Sequence, residues 1–244
     1  MEFTGIALAW RKRPSLYLSE TNESDFTFTL CNSEKASDKE YLSEFKSNDI
    51  TVWVIGEIYN LSTMVIRNHI TEANNLAHLI ALIYATGKID KEIKKLEGEF
   101  FIQIYDKERQ QLKLITDKLG LIPIYYSQTD FQFIWSNRLS AVADMLSNPI
   151  LDTSAIVCFM ELEYILGNKT LFENIGIIEP AHSITLDFQS KELIKKEQYW
   201  SWNEITANPI DFEKAVDLTA ECFLSSIEKR FNQQKEWACR LVAA

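Results

Sequence analysis

The densest gathering of reactive groups lies in residues 52–60, VWVIGEIYN, where a carboxylate (Glu57), a phenol (Tyr59) and an amide (Asn60) follow directly on Gly56. An apolar β-branched run ending at glycine reads as a buried strand entering a tight turn, which delivers polar groups to one spot. Glu57 with Glu97 or Glu99 would supply the carboxylate pair of a glycosidase, but such glutamates beside strand ends are ordinarily solvated. Metal chemistry has little support. Cys31, Cys158, Cys222 and Cys239 form no C-x-x-C pair, and His69, His78 and His182 lack ligand spacing. Most of the cysteines read as small core residues, and the histidines as surface or hydrogen-bonded ones.

The elements around that turn are mostly strands. FTGIALAW, FTFTL, ITVWVIGEIY, GEFFIQIYD, QLKLIT, IPIYYS and FQFIWS are short runs rich in β-branched and aromatic residues. Polar turns at Asp106 to Arg109 and at Ser127 to Asp130 predict two hairpins. Helical spacing appears in NNLAHLIALIYATG, with Leu76, Leu79, Ile80 and Ile83 on one face and Gly87 as a stop. LSAVADML and DTSAIVCFMELEYIL predict two more helices, the second capped by Asp152 or Thr153. Antiparallel strands with segregated helices give the α+β class. After SWNEITANP, which reads as a linker, a long amphipathic helix carries Phe212, Val216, Phe223 and Ile227 as its stripe, and the chain closes on an apolar RLVAA.

Bulk properties narrow the partners. At 244 residues and 46% hydrophobic the chain can bury an ample core, and 12% aromatic content argues against disorder. A net charge of -10 repels phosphate backbones, so no nucleic-acid partner is expected. No apolar run nears the ~20 residues of a membrane span, and the basic residues of MEFTGIALAWRKRP follow its apolar stretch, the wrong order for a secretory signal. The expected location is the cytoplasm.

Six segments in order, VIGEIYN, LEGEFFIQIYD, TDKLGLIPIYYS, FIWSNRLSAV, TLFENIGIIEPAHSITL and QYW, resemble asparagine synthetases, specifically their N-terminal class II glutamine amidotransferase domain of the Ntn hydrolase fold. The resemblance implies a four-layer αββα sandwich over residues 1–200, a linker over 201–209, and over 210–244 the first helix and strand of a truncated synthetase domain. That domain would use ATP and Mg2+ through a glycine-rich pyrophosphate loop. Only 7 glycines are present and none lies beyond Gly176, so no cofactor is expected in these residues. The implied partner is the C-terminal synthetase domain of the same full-length chain, and a homodimer is compatible with the family.

The family's chemistry maps onto few intact positions. Its Cys-Gly-Ile opening aligns with Thr4, Gly5 and Ile6. A threonine can be the nucleophile of such enzymes only if its own amine is free to act as base, and here Met1, Glu2 and Phe3 precede it. The family's oxyanion hole, an asparagine amide and the next glycine N–H, aligns with Ile55 and Gly56; one lost donor costs ~100- to 1000-fold in rate. Glu57 keeps its place. The aspartate that holds the glutamine α-amine becomes Asn75, without the charge. No arginine stands in EFKSNDITVW to clamp the α-carboxylate, and Lys46 offers only a point charge. Thr116, Asp117, Gly120 and Pro123 replace Arg-Asp-x-x-Gly-x-x-Pro and read as hairpin support.

These departures predict a glutaminase-like domain without glutaminase activity, similar to the inactive N-terminal domains of β-lactam synthetase and lasso-peptide cyclases, within an ATP-dependent amide-forming ligase. The alternatives are a working amidotransferase that uses Thr4 after N-terminal processing, and a non-enzymatic interaction domain.

Overall fold

The computed structural model describes residues 2–8, 20–22, 27–31, 42–68, 70, 73–129, 132–190 and 192–231. Strands β1 (Glu2–Leu8), β2 (Glu20–Asn22), β3 (Thr27–Cys31), β8 (Tyr125–Thr129), β9 (Gln132–Ser136) and β10 (Gly176–Ile177) form one six-stranded sheet, in the order β10-β8-β9-β1-β3-β2. The second sheet runs β12-β11-β7-β6-β5-β4, from β4 (Leu42–Lys46), β5 (Ile50–Ile58), β6 (Gly98–Asp106), β7 (Gln111–Thr116), β11 (His182–Asp187) and β12 (Glu192–Gln198). Neighbouring strands are antiparallel throughout both sheets. Both expected hairpins form, as β6–β7 and β8–β9.

Three apolar clusters define the layers. Trp53, Ile55, Phe101, Leu112 and Leu114 of the second sheet meet Phe133 and Trp135 of the first, so the sheets pack face to face. The other face of the second sheet, Val52, Val54, Ile58, Ile102 and Ile104, buries helix α2 (Leu76–Ala85) through Leu79, Ile80 and Ile83, with α1 (Leu61–Asn68) and α3 (Ile89–Glu92) beside it. The outer face of the first sheet packs Ile134 against Val142 and Ala143 of α4 (Leu139–Met145). The result is the αββα sandwich. It also explains why β5 reads as one unbroken apolar run, since residues 52–55 are buried on both faces.

Cap chemistry sets the helix ends. Asn75 Oδ1 accepts from the His78 N–H at 2.8 Å and starts α2, while Gly87, at φ +70, follows its last turn. Asp152 Oδ1 accepts from the Ser154 and Ala155 N–H groups at the start of α5 (Thr153–Leu162). The Ser154 hydroxyl, then the Ala155 N–H and Lys169, hold the Asp152 carboxyl down at about 2. The expected α5 is longer than the observed one: Glu163 enters the left-handed region at φ 61, its N–H closing on Phe159 O, and the helix stops there.

Other expectations shift as well. A 3-10 turn, Trp202–Glu204, interrupts the linker, and α6 (Phe212–Phe231) follows with its stripe open: Phe212 is 75% and Phe223 65% exposed. Cys222 is exposed on α6 and Cys158 partly so, and neither is a core residue. His78 stacks on Phe45, and His182 Nδ1 lies 2.8 Å from Pro180 O. The terminal RLVAA strand and His69 fall outside the described residues.

Two contacts lock the sandwich. Between the sheets, the Trp135 Nε1–H donates to Gln103 Oε1 at 3.0 Å, in a layer otherwise apolar. Along β5 and β6 the backbones approach so closely that a Cβ on Gly98 would lie 2.1 Å from Glu57 O, and one on Gly56 would lie 2.1 Å from Glu99 O. Trp135→Phe leaves the buried Gln103 carbonyl without its indole donor, so urea denaturation should show a loss of about 1–3 kcal/mol. Gly98→Ala must push β5 from β6 by a backbone shift; a loss of about 1–3 kcal/mol or more is expected from the same measurement.

Candidate functional site

The Gly56 turn sits where β5 leaves the sheet. Gly56 opposes Phe100, Glu57 opposes Glu99 and Ile58 opposes Gly98. Gly56 has φ +94, a conformation open to glycine and strained for any other residue. The next turn is welded to the 95–97 segment. Asn60 Nδ2–H donates to Lys95 O at 2.8 Å, Asn60 Oδ1 accepts from the Glu97 N–H at 3.1 Å, and the Tyr59 N–H donates to Glu97 O at 2.7 Å. The Asn60 amide is therefore committed to the backbone.

Asp117 supports the opposite side. Its carboxylate accepts from the N–H groups of Phe100, Leu119 and Leu121, and its main-chain O accepts from the Ala181 N–H at 2.8 Å. It is buried, and through Phe100 it secures the residue facing Gly56. Gly120, at φ +64, lets the loop lie against Pro180, whose Cγ would be 2.9 Å from an added Cβ. Tyr199 closes the corner by donating to Thr116 O at 2.6 Å. The family's Arg-Asp-x-x-Gly segment acts here as a brace.

Thr4 and Gly56 lie in different sheets. Thr4 pairs with Thr29 on one side and Ser136 on the other, and Ser136 pairs with Tyr125. Three residues before Tyr125, the Ile122 side chain reaches the space above Gly56, with Cδ1 at 2.9 Å from a Cβ placed there. Ile55, at the position of the family's oxyanion amide, is 3% exposed and packed in the inter-sheet cluster with Trp53, Phe101 and Trp135. Its side chain carries no hydrogen-bond donor.

The remaining expected residues do not converge on the turn. Asn75 lies beside β4, its Nδ2–H donating to Glu44 O at 3.0 Å while its Oδ1 caps α2. Lys46 is opposite Thr51, five residues from Gly56 along β5, or roughly 17 Å at strand spacing. It stands at the far end of the strand and is no carboxylate clamp for this turn. Glu57 and Glu99 are directly opposed, with β-carbons about 5 Å apart by sheet geometry.

Sequence reasoning missed the cations that meet this acidic corner. Lys229 Nζ of α6 lies 2.8 Å from Glu97 Oε2, and the Arg230 guanidinium sits 4.8 Å from the Tyr59 ring centroid. Burial raises the Tyr59 phenol above its ordinary value, the Glu99 charge adds to the rise, and the Arg230 hydrogen bond opposes it. No local pattern in VIGEIYN signals a partner 170 residues further on. Elsewhere, a cavity of about 160 Å³ is lined by Tyr84, Asp90, Arg109 and Lys113 at the other end of β6 and β7; Lys113 pairs there with Asp90 and Arg109 with Asp106. Among the described residues no group of three or more His, Cys, Asp or Glu could hold a metal ion, and no helix is long and apolar enough to cross a membrane.

Residues 35–200 match the glutamine amidotransferase domain family; Thr4 precedes the matched range. A Methanocaldococcus jannaschii protein bearing the name asparagine synthetase (glutamine-hydrolysing) 2 is 26% identical over 161 residues, 64% of this chain and 31% of that protein. Asparagine synthetases (glutamine-hydrolysing) 2 and 3 of Bacillus subtilis are 24% and 26% identical, over 66% and 64% of this chain and 22% and 26% of theirs. The chain thus spans between about a fifth and a third of the length of these relatives. Among solved structures, glutamine phosphoribosylpyrophosphate amidotransferase from B. subtilis has a TM-score of 0.42 and 12% identity, covering 65% of this chain and 31% of that one. A single family accounts for the matched range, the relatives and the order of the six segments: the chain belongs to the glutamine amidotransferase domain family, in the form carried by asparagine synthetase-like proteins.

Proposed function

We propose that this domain keeps the amidotransferase fold without releasing ammonia from glutamine, and that it serves as the N-terminal domain of an asparagine-synthetase-like, ATP-dependent amide-forming ligase. The observation that carries the reading is Ile55. A glutaminase must stabilise the oxyanion that develops as the glutamine carbonyl is attacked, and it does so with preorganised donors. Ile55 has no donor, and its side chain fills the inter-sheet core at 3% exposure. Gly56 leaves one backbone N–H of the pair.

The attacking group is compromised in the same way. β1 begins at Glu2, and Glu2 and Phe3 are laddered to Cys31 and Leu30, so the Thr4 nitrogen is an amide within a paired strand. An amide nitrogen has no basicity with which to take the hydroxyl proton. On the recognition side, both ends of the Asn75 amide are engaged by the protein itself.

In this reading residues 1–200 are the glutaminase-like domain, 201–209 the linker, and α6 opens the synthetase domain that would bind ATP and Mg2+. The described residues do not fit that pair of ligands. No glycine follows Gly176 to cradle a phosphate, and no acidic or histidine cluster is built for a metal. The nucleotide chemistry is therefore assigned to the part of the relatives' length that this chain does not span.

Incubated with glutamine, the chain carrying its first three residues should form no glutamate or ammonia above a protein-free blank. Turnover near the roughly 10 per second of an ordinary enzyme would overturn the proposal. Asn75→Ala should cost about 0.5–2 kcal/mol of stability through loss of the α2 cap. Asn75→Asp keeps the cap acceptor but sets a carboxylate oxygen against Glu44 O where the Nδ2–H donated, so paired thermal melts should show only partial retention.

A further inference from the structure

We propose that the last turn of α6 is a reversible clasp on the Gly56–Asn60 turn, coupling the position of the helix to the order of the candidate site. The inference goes beyond the loss of glutaminase activity and stands whether or not the domain turns glutamine over.

The geometry is asymmetric. Among residues 212–230 only Ala215 and Ile227 are partly buried, and the rest are exposed. Among the described residues, the polar and ring contacts of α6 with the rest of the fold are Lys229 to Glu97 at 2.8 Å and Arg230 over Tyr59 at 4.8 Å. The helix is thus fastened at its C-terminal end and open along its body. Its fastening points are the two segments that Asn60 welds together, residues 58–60 and 95–97. Pulling the helix away unloads both sides of that weld at once.

The charges fit one another. Glu57 and Glu99 face each other across β5 and β6, a like-charge pairing that destabilises the ladder, and Glu97 lies two residues before Glu99. Lys229 and Arg230 are the basic residues of the final turn of α6, where cations also complement the helix dipole. Arg230 stays in place partly by donating to Ser226 O at 3.3 Å, one turn back in its own helix. Tyr59 offers its ring face to the guanidinium and its phenol to the same group.

Each contact is weak alone, as exposed ion pairs and cation–π contacts are. Together they favour the seated helix while leaving it able to open. Because coupling between two sites is reciprocal, anything that moves α6 loosens the turn, and anything that reorders the turn shifts α6.

Hydrogen exchange of the full chain tests this. Arg230→Ala and Lys229→Ala should each raise amide exchange about three- to tenfold in residues 57–61, Glu97 and the last turn of α6, leaving β6 and β7 protected. About 0.5 M salt, which cuts the screening length to roughly 4 Å, should reproduce part of the rise in the unaltered chain. The charge-swapped pair Glu97→Lys with Lys229→Glu should return the turn to its original exchange. Unchanged exchange in residues 57–61 of the Arg230→Ala chain would overturn the clasp. So would a swap that exchanges as fast as Glu97→Lys alone, or a rise spread evenly through β6 and β7.

Discussion

Two strands held too close for a side chain shape everything at the candidate site. Gly56 and Gly98 face each other's neighbours across β5 and β6, and an added β-carbon at either would sit 2.1 Å from a carbonyl oxygen. That approach forces Gly56 to φ +94 and turns the chain sharply after Ile58, into Tyr59 and Asn60. Asp117, just past the end of β7, fixes the facing residue, Phe100. The VIGEIYN turn is thus specified by backbone sterics and a buried carboxylate brace. Neither depends on catalysis.

Packing and chemistry compete for the same volume beside that turn. A working oxyanion amide must stay free to meet a substrate, which leaves a polar group at the edge of an apolar layer. Ile55 resolves the conflict in favour of packing. It adds a branched side chain to the cluster of Trp53, Phe101 and Trp135, where each buried aliphatic side chain contributes about 1.5–3 kcal/mol. Asn75 repeats the choice in polar form. Its amide caps α2 and ties the helix to β4. At both positions the side chain has a role in the fold.

What the sequence made legible follows the range of the forces involved. The two hairpins and α2 were readable because their signals are local: polar turns, a 3.6-residue apolar period, a glycine after the last turn. The end of α5 was not, since Glu163 adopts a left-handed cap that nothing in DTSAIVCFMELEYIL marks. β4 and β12 are polar along much of their length and were invisible as strands, although they form the edges of one sheet. Lys46 looked available as a clamp because linear proximity to Gly56 hides a strand direction that carries it to the opposite end. Asp117 was read correctly as support, while its partner Phe100 N–H emerges only in three dimensions.

The open face of α6 follows the same logic. A helix of this length with Phe212, Val216, Phe223 and Leu224 exposed gains little from its own hydrogen bonds, because most helical stability in proteins comes from burying an apolar face. Among the described residues, the polar and ring contacts that fasten the helix to the sandwich are those of Lys229 and Arg230, at its C-terminal end. A helix so placed is poorly explained as a finished part of the sandwich. In the proposed clasp, the acidic corner formed by Glu57, Glu97 and Glu99 is where the sandwich meets the basic end of α6.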